Sequence, residues 1–197
     1  VSISGDGSVL VSTRIDVISS LWSRSAAGEM RQIIGESRNL LGNFGLAQLA
    51  DGRLIFGKAS GRDVNLYVIE ESGGGEKQLT TGGINHSPAI SPDGRFVYFS
   101  SNRGGAFSIW RIKSDGTEPM QITNAQESND GSPVVTKNGA SLIFVRTSSD
   151  GGNARLMKVS TEGGEAARLF PNLERPMSQP IISNDGRFLA YRSEERR

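Results

Sequence analysis

The single histidine of this 197-residue chain, His86, stands directly before Ser87, and a histidine beside a hydroxyl is the first place to look for a nucleophile. Serine-hydrolase chemistry needs the hydroxyl on a strained elbow and a separate base to take its proton. No Gly-x-Ser-x-Gly occurs, and His86-Ser87 runs straight into Pro88, so no triad is expected within the chain. The run from Gly52 to Ala59 comes close to a phosphate-binding loop. It fails because Ala59 replaces the magnesium-holding Ser/Thr and Leu54-Ile55-Phe56 form a strand where a backbone cradle is required. One histidine and no cysteine cannot build a transition-metal site, and no cofactor is called for. The aspartates mostly stand in Asp-Gly turn dipeptides far apart along the chain, with calcium at a turn or in a channel as an alternative use. Trp22, Tyr67 and Trp110 could stack bases or sugars, but they recur in phase, which packing explains more simply.

The elements that carry these residues come from a repeat. Turn dipeptides at Asp6-Gly7, Asp51-Gly52, Asp93-Gly94, Asn138-Gly139 and Asp185-Gly186 follow at steps of 45, 42, 45 and 47 residues. A turn held in fixed phase at such a period marks a structural array. The best copy, Ser87 to Thr123, alternates short β-branched and aromatic strands with Pro92-Asp93-Gly94, Asn102-Arg103-Gly104-Gly105 and Asp115-Gly116 turns. It predicts a four-stranded antiparallel meander. Leu21-Trp22, Leu66-Tyr67, Ile109-Trp110 and Leu156-Met157 occupy its third strand in successive units, and Leu54-Ile55-Phe56, Val97-Tyr98-Phe99 and Leu142-Ile143-Phe144 its second. Ala26 to Leu41 has some helical character, but register with its sister segments predicts turn plus strand. A helical array would need apolar residues at i, i+3, i+4 and i+7, whereas every apolar run is broken within about eight residues by Gly, Asn or Asp. Meanders that cannot bury both faces alone stack radially. The expected fold class is all-β, a β-propeller of about four complete units plus a hairpin: 1–40, 41–82, 83–126, 127–172 and a partial 173–197, within a single domain.

Composition agrees. The hydrophobic share of 36% omits 25 glycines, and with them the apolar content is ordinary for a packed domain. A formal net charge of +1 gives no field for nucleic acid or anionic lipid, and no apolar stretch is long enough to span a bilayer.

SPDGRFVYFSSNRGG followed by SIWRIKSDGTEPMQIT closely resembles the WD40-like PD40 repeat of TolB-type bacterial propellers. The resemblance covers the whole chain and is strongest over Ser87–Thr123. It departs from the pattern where Gly5, Ala50, Lys137 and Asn184 replace the proline before the turn. It implies a fold with several uses: binding of partner proteins in the cell envelope, sensor regions of kinases and regulators, caps over prolyl-oligopeptidase-type active sites, and lyase chemistry in the channel. It also implies six or more blades and so a longer polypeptide, a closed four- or five-blade ring being the alternative. An extracytoplasmic setting is favoured by the resemblance alone.

In a propeller the first strand of each blade lines the central channel, so residues just before it crowd one mouth. Here these are Asn85 and His86, Asn129 and Asp130, and Arg175, Ser178 and Gln179. They are polar and differ between units, as a partner-specific surface would, although a hydrated rim without a ligand has the same composition. The expected function is a non-catalytic scaffold for a protein or peptide partner, with no nucleic acid and no membrane insertion. The alternative is the substrate-filtering propeller of a prolyl-oligopeptidase-type peptidase. A channel-based lyase or glycosidase lacks its metal ligands or paired carboxylates.

Overall fold

A computed structural model describes residues 2–3, 10–11, 18–24, 27–39 and 41–193, and among these every regular element is a strand. The first unit holds β1 (Ser2–Ile3), β2 (Leu10–Val11), β3 (Ser19–Arg24) and β4 (Met30–Ser37). Three complete antiparallel meanders follow: β5 (Leu41–Gln48), β6 (Leu54–Ser60), β7 (Asp63–Ile69) and β8 (Lys77–Gln78); β9 (Asn85–Ile90), β10 (Phe96–Ser101), β11 (Ser108–Lys113) and β12 (Met120–Gln121); β13 (Ser128–Val135), β14 (Ser141–Ser148), β15 (Ala154–Ser160) and β16 (Ala167–Arg168). A final hairpin pairs β17 (Met177–Ile182) with β18 (Leu189–Ser193). The first unit differs from its sisters: β1 pairs β2 and β3 pairs β4 as separate two-stranded sheets, and β4 has eight residues where the other fourth strands have two. The segment with helical character is thus a strand. The Asp6-Gly7 turn and Gly5 lie outside the described residues.

The apolar cores lie between meanders rather than inside them. Successive side chains of a strand point to opposite faces, so the unbroken run at the centre of each second strand serves two neighbours. In β10, Val97 and Phe99 pack with Ile55, Leu66 and Leu79 of the preceding meander, while Tyr98 packs with Leu142 and Phe144 of the following one. In β6, Phe56 turns back to Leu21 and Ile33; in β14, Ile143 and Val145 turn forward to Met177. This is why the second strands show no apolar–polar alternation. Each fully buried side chain of this size contributes roughly 1.5–3 kcal/mol. The joints are close at the backbone as well: a Cβ on Gly73 would stand 2.6 Å from the Ile33 carbonyl oxygen, and Gly116 lies in phase over the Leu79 carbonyl. The aromatic third-strand positions divide. Tyr67 packs on Phe56, and Trp110 lies against the cluster around Phe99, but Trp22 is half exposed because it alternates with Leu21 and faces away from the β5–β8 meander.

The turn between first and second strands is a recurring polar bracket. Ser91 donates its hydroxyl to Asp93 Oδ1 at 2.6 Å, Asp93 Oδ1 accepts the Arg95 amide at 3.1 Å, and Phe96 N–H donates back to Ser91 Oγ at 2.9 Å. Ser183, Asp185, Arg187 and Phe188 repeat it, as do Thr136, Asn138, Ala140 and Ser141. The hydroxyl of Ser91, and then the Arg95 amide, holds the Asp93 carboxyl below its ordinary pKa; Ser183 and Arg187 do the same for Asp185.

Two outcomes follow. Phe99→Ala, at a fully buried position, lowers stability by about 3–5 kcal/mol, whereas Phe188→Ala, at a side chain 66% exposed, changes it by under about 0.5 kcal/mol; urea denaturation reads both. Because the folded carboxyl pKa values are depressed, the turn contribution is present above the unfolded value and is lost as pH falls below about 4. Asp93→Asn with Asp185→Asn flattens that acid limb of the stability–pH curve, and an unchanged limb would assign the acid sensitivity elsewhere.

Candidate functional site

The first strands β5, β9, β13 and β17 are neighbours in series across the meanders. Each breaks its ladder at the same place. The pairing skips Ser87-Pro88 in β9, Ser132-Pro133 in β13 and Gln179-Pro180 in β17. The residue before each proline is left-handed, with φ of 54° at Ser87, 50° at Ser132 and 52° at Gln179. Proline suits such a bulge because it brings no N–H to an interrupted ladder. The left-handed region costs a residue with a Cβ about 1–2 kcal/mol. In β5 the equivalent position is Gly45 at φ 111°, where glycine is obligatory: a Cβ would stand 2.6 Å from Pro88 Cδ.

Beside the bulges of β9 and β13 is a cavity of about 160 Å3, with His86, Phe107, Asn129, Asp130, Ser132 and Thr147 in its lining. His86 sits edge-on to Phe107 at 5.1 Å, and its Nδ1 is 2.9 Å from Ser87 Oγ. Burial pushes the imidazole pKa down, so the ring is neutral at pH 7. Asn129 accepts the Phe107 amide through Oδ1 at 3.2 Å. Asp130 is fully buried and held in a two-point ion pair, Arg146 Nε to Oδ1 at 2.7 Å and Nη2 to Oδ2 at 2.8 Å. That pairing raises the Arg146 pKa, the bonds to Asp130 outweighing the cost of burial. Asp130 also ties its meander to the one before: Ser100 Oγ donates to its carbonyl at 2.7 Å, and its amide donates to Phe107 O at 2.8 Å.

Of the residues expected at the mouth, His86, Asn129 and Asp130 meet on one cavity. Asn85 does not reach it. Its fully buried amide donates to Val64 O and Asn65 Oδ1, each at 3.0 Å, and its Oδ1 accepts Ser101 Oγ at 2.7 Å and Arg103 Nη2 at 2.8 Å. Arg103 in turn lies over the rings of Phe99 and Trp110 at 5.2 and 5.0 Å, so Asn85 is a joint between meanders. Arg175 and Gln179 are exposed and belong to β17 and the loop before it, outside that lining; Ser178 is half-buried on β17. Sequence reasoning missed Arg146, although it stands as far after Asn138 as Asp130 stands before it, which is the signal of a cross-strand pair in a hairpin centred there. It also missed the bulges, signalled by prolines in phase at Pro88, Pro133 and Pro180.

The cavity offers hydroxyls, an amide, a neutral imidazole and an aromatic face, and its one carboxylate is satisfied. His86 and Ser87 are close enough to share a proton, but the carboxylate lining the same space is committed to Arg146 rather than to orienting the imidazole. Among the described residues no three histidine or carboxylate side chains gather as a metal site would require. The ion pair carries a prediction: Arg146→Ala strands a buried charge and costs about 3–5 kcal/mol in urea denaturation, whereas Asp130→Asn, which keeps the shape and removes the charge, costs less. Equal losses would show that the cost is that of losing the pair and not of stranding the Asp130 charge.

The profile of the PD40 family, the TolB β-propeller domain, matches residues 29–197. An uncharacterized protein of Agrobacterium fabrum is 32% identical over 136 residues, 64% of this chain, and the chain spans 46% of that relative's length. Among solved structures, a protein described as TolB from Agrobacterium tumefaciens superposes with a TM-score of 0.68 at 23% identity, covering 98% of this chain and 73% of that one. TolB from Acinetobacter baumannii gives 0.67 at 21% identity over 90% and 51%. At these identities the two structures bear on the fold. Meanders joined face to face along a series of first strands, and a family profile running from Glu29 to the last residue, lead to one assignment: the chain belongs to the TolB β-propeller (PD40) family.

Proposed function

We propose that this propeller region is a non-catalytic scaffold that binds an extended segment of a protein or peptide at the mouth formed by β9, β13 and β17. The observation that carries this reading is the chemistry of the cavity beside the bulges. Phe107 gives a flat apolar surface, Asn129, Ser132 and Thr147 ring it with neutral donors and acceptors, and Arg146 neutralises the single carboxylate. Apolar centres with polar rims are how proteins hold partners through several modest contacts. The pairing of Asp130 with Arg146 leaves no free carboxylate in the lining to orient His86, which favours binding over acid–base turnover. A protein partner also accords with the similarity to TolB propellers.

The reading is tested by selecting displayed random dodecapeptides on the immobilised chain and measuring the best of them by fluorescence polarisation. His86→Ala and Phe107→Ala, each checked as folded by circular dichroism, weaken binding about tenfold or more. Raising NaCl from about 50 to 500 mM changes the affinity less than about twofold, since an uncharged mouth gives salt little to screen. Peptides that bind both variants as tightly as the wild type, or no selected peptide at all, would overturn it.

A further inference from the structure

We infer that the three left-handed bulge residues, Ser87, Ser132 and Gln179, are specificity-determining positions of this mouth, each presenting a polar side chain to one extended, uncharged peptide segment. The inference rests on the reading of the mouth as a peptide site and deepens it. A positive φ recurs at this place in four first strands, and glycine is the residue that adopts it without strain. One strand uses it, at Gly45, where a Cβ would strike Pro88 Cδ. The other three keep a side chain at a left-handed φ of 50–54°. The backbone alone does not ask for serine or glutamine there. Strain retained in phase at one rim is a pointer to contact, because such outliers collect where a ligand is held.

Placement supports this. Ser132 lines the cavity, Ser87 is hydrogen-bonded to His86 of the same lining, and Gln179 is exposed on the next first strand in the series. Because β9, β13 and β17 adjoin in order, the three bulge positions form a row across consecutive meanders. All three are neutral, and the one carboxylate in the lining is already paired, so the row suits main-chain amides and small polar side chains rather than a phosphate or carboxylate group. The serines offer a short hydroxyl that both donates and accepts; Gln179 reaches further with an amide.

The test replaces each residue with glycine, which relieves the strain while deleting the side chain. The probe is the best dodecapeptide selected on the wild-type chain. Ser87→Gly, Ser132→Gly and Gln179→Gly are expected to hold or raise the thermal midpoint, the triple variant to lose about tenfold or more in peptide affinity, and a selection repeated on each single variant to yield a changed preference at one peptide position. Glycine variants as stable as the wild type that bind the peptide within about twofold would overturn the inference while leaving the peptide site standing. Absence of any selected peptide on the wild type would instead remove the site itself, and the inference with it.

Discussion

Burial of the second strand on both of its faces is the constraint from which the rest of this structure follows. Phe99 and Tyr98 are neighbours in β10, both essentially inaccessible, yet they belong to different cores, one shared with β6 and β7 and the other with β14. A meander on its own would expose one of those faces. Only a neighbour on each side removes both from water, and the hydrophobic gain per buried side chain is then collected twice in every repeat. Glycines such as Gly73 and Gly116 keep the joints tight enough for this packing, and polar ties such as Asn85 with Val64 and Asn65 settle the relative position of adjacent meanders where apolar contact, being non-directional, cannot.

The mouth is a by-product of the same packing. First strands converge because the second strands behind them are pressed together, and the bulges at Gly45, Ser87, Ser132 and Gln179 re-aim the backbone where the strands meet. Buried charge is spent on architecture. Asp130 joins two meanders through its main chain and one hairpin through Arg146, which leaves the adjoining cavity with hydrogen-bonding groups of no net charge. Such a surface selects by shape and hydrogen-bond pattern rather than by long-range attraction.

Much of the fold was legible because its signals are local and repeated. Asp93-Gly94 and its counterparts announce hairpins by turn chemistry, and the register of Leu66-Tyr67 with Ile109-Trp110 aligns the third strands without reference to anything distant. The candidate site was legible only in outline. Phase placed His86, Asn129 and Asp130 at one rim, and the structure brings them together. Phase could not say which way a side chain turns from the rim: Asn85, adjacent to His86, alternates away from it into the joint between meanders. Trp22 escaped for a related reason, since its burial depends on what lies across its face and not on its place in the repeat. The left-handed serines were hidden because serine in a strand ordinarily marks nothing; only the prolines after them carried the signal.

Cores that straddle consecutive repeats also bear on how such a chain can grow. A duplicated meander inserted between two existing ones would bring the same pair of faces that its template already matches, so no interior would have to be invented. Quasi-one-dimensional assemblies of this kind lengthen by copying a junction. The joint between β14 and the last hairpin, where Ile143 and Val145 meet Met177, is such a junction in this chain.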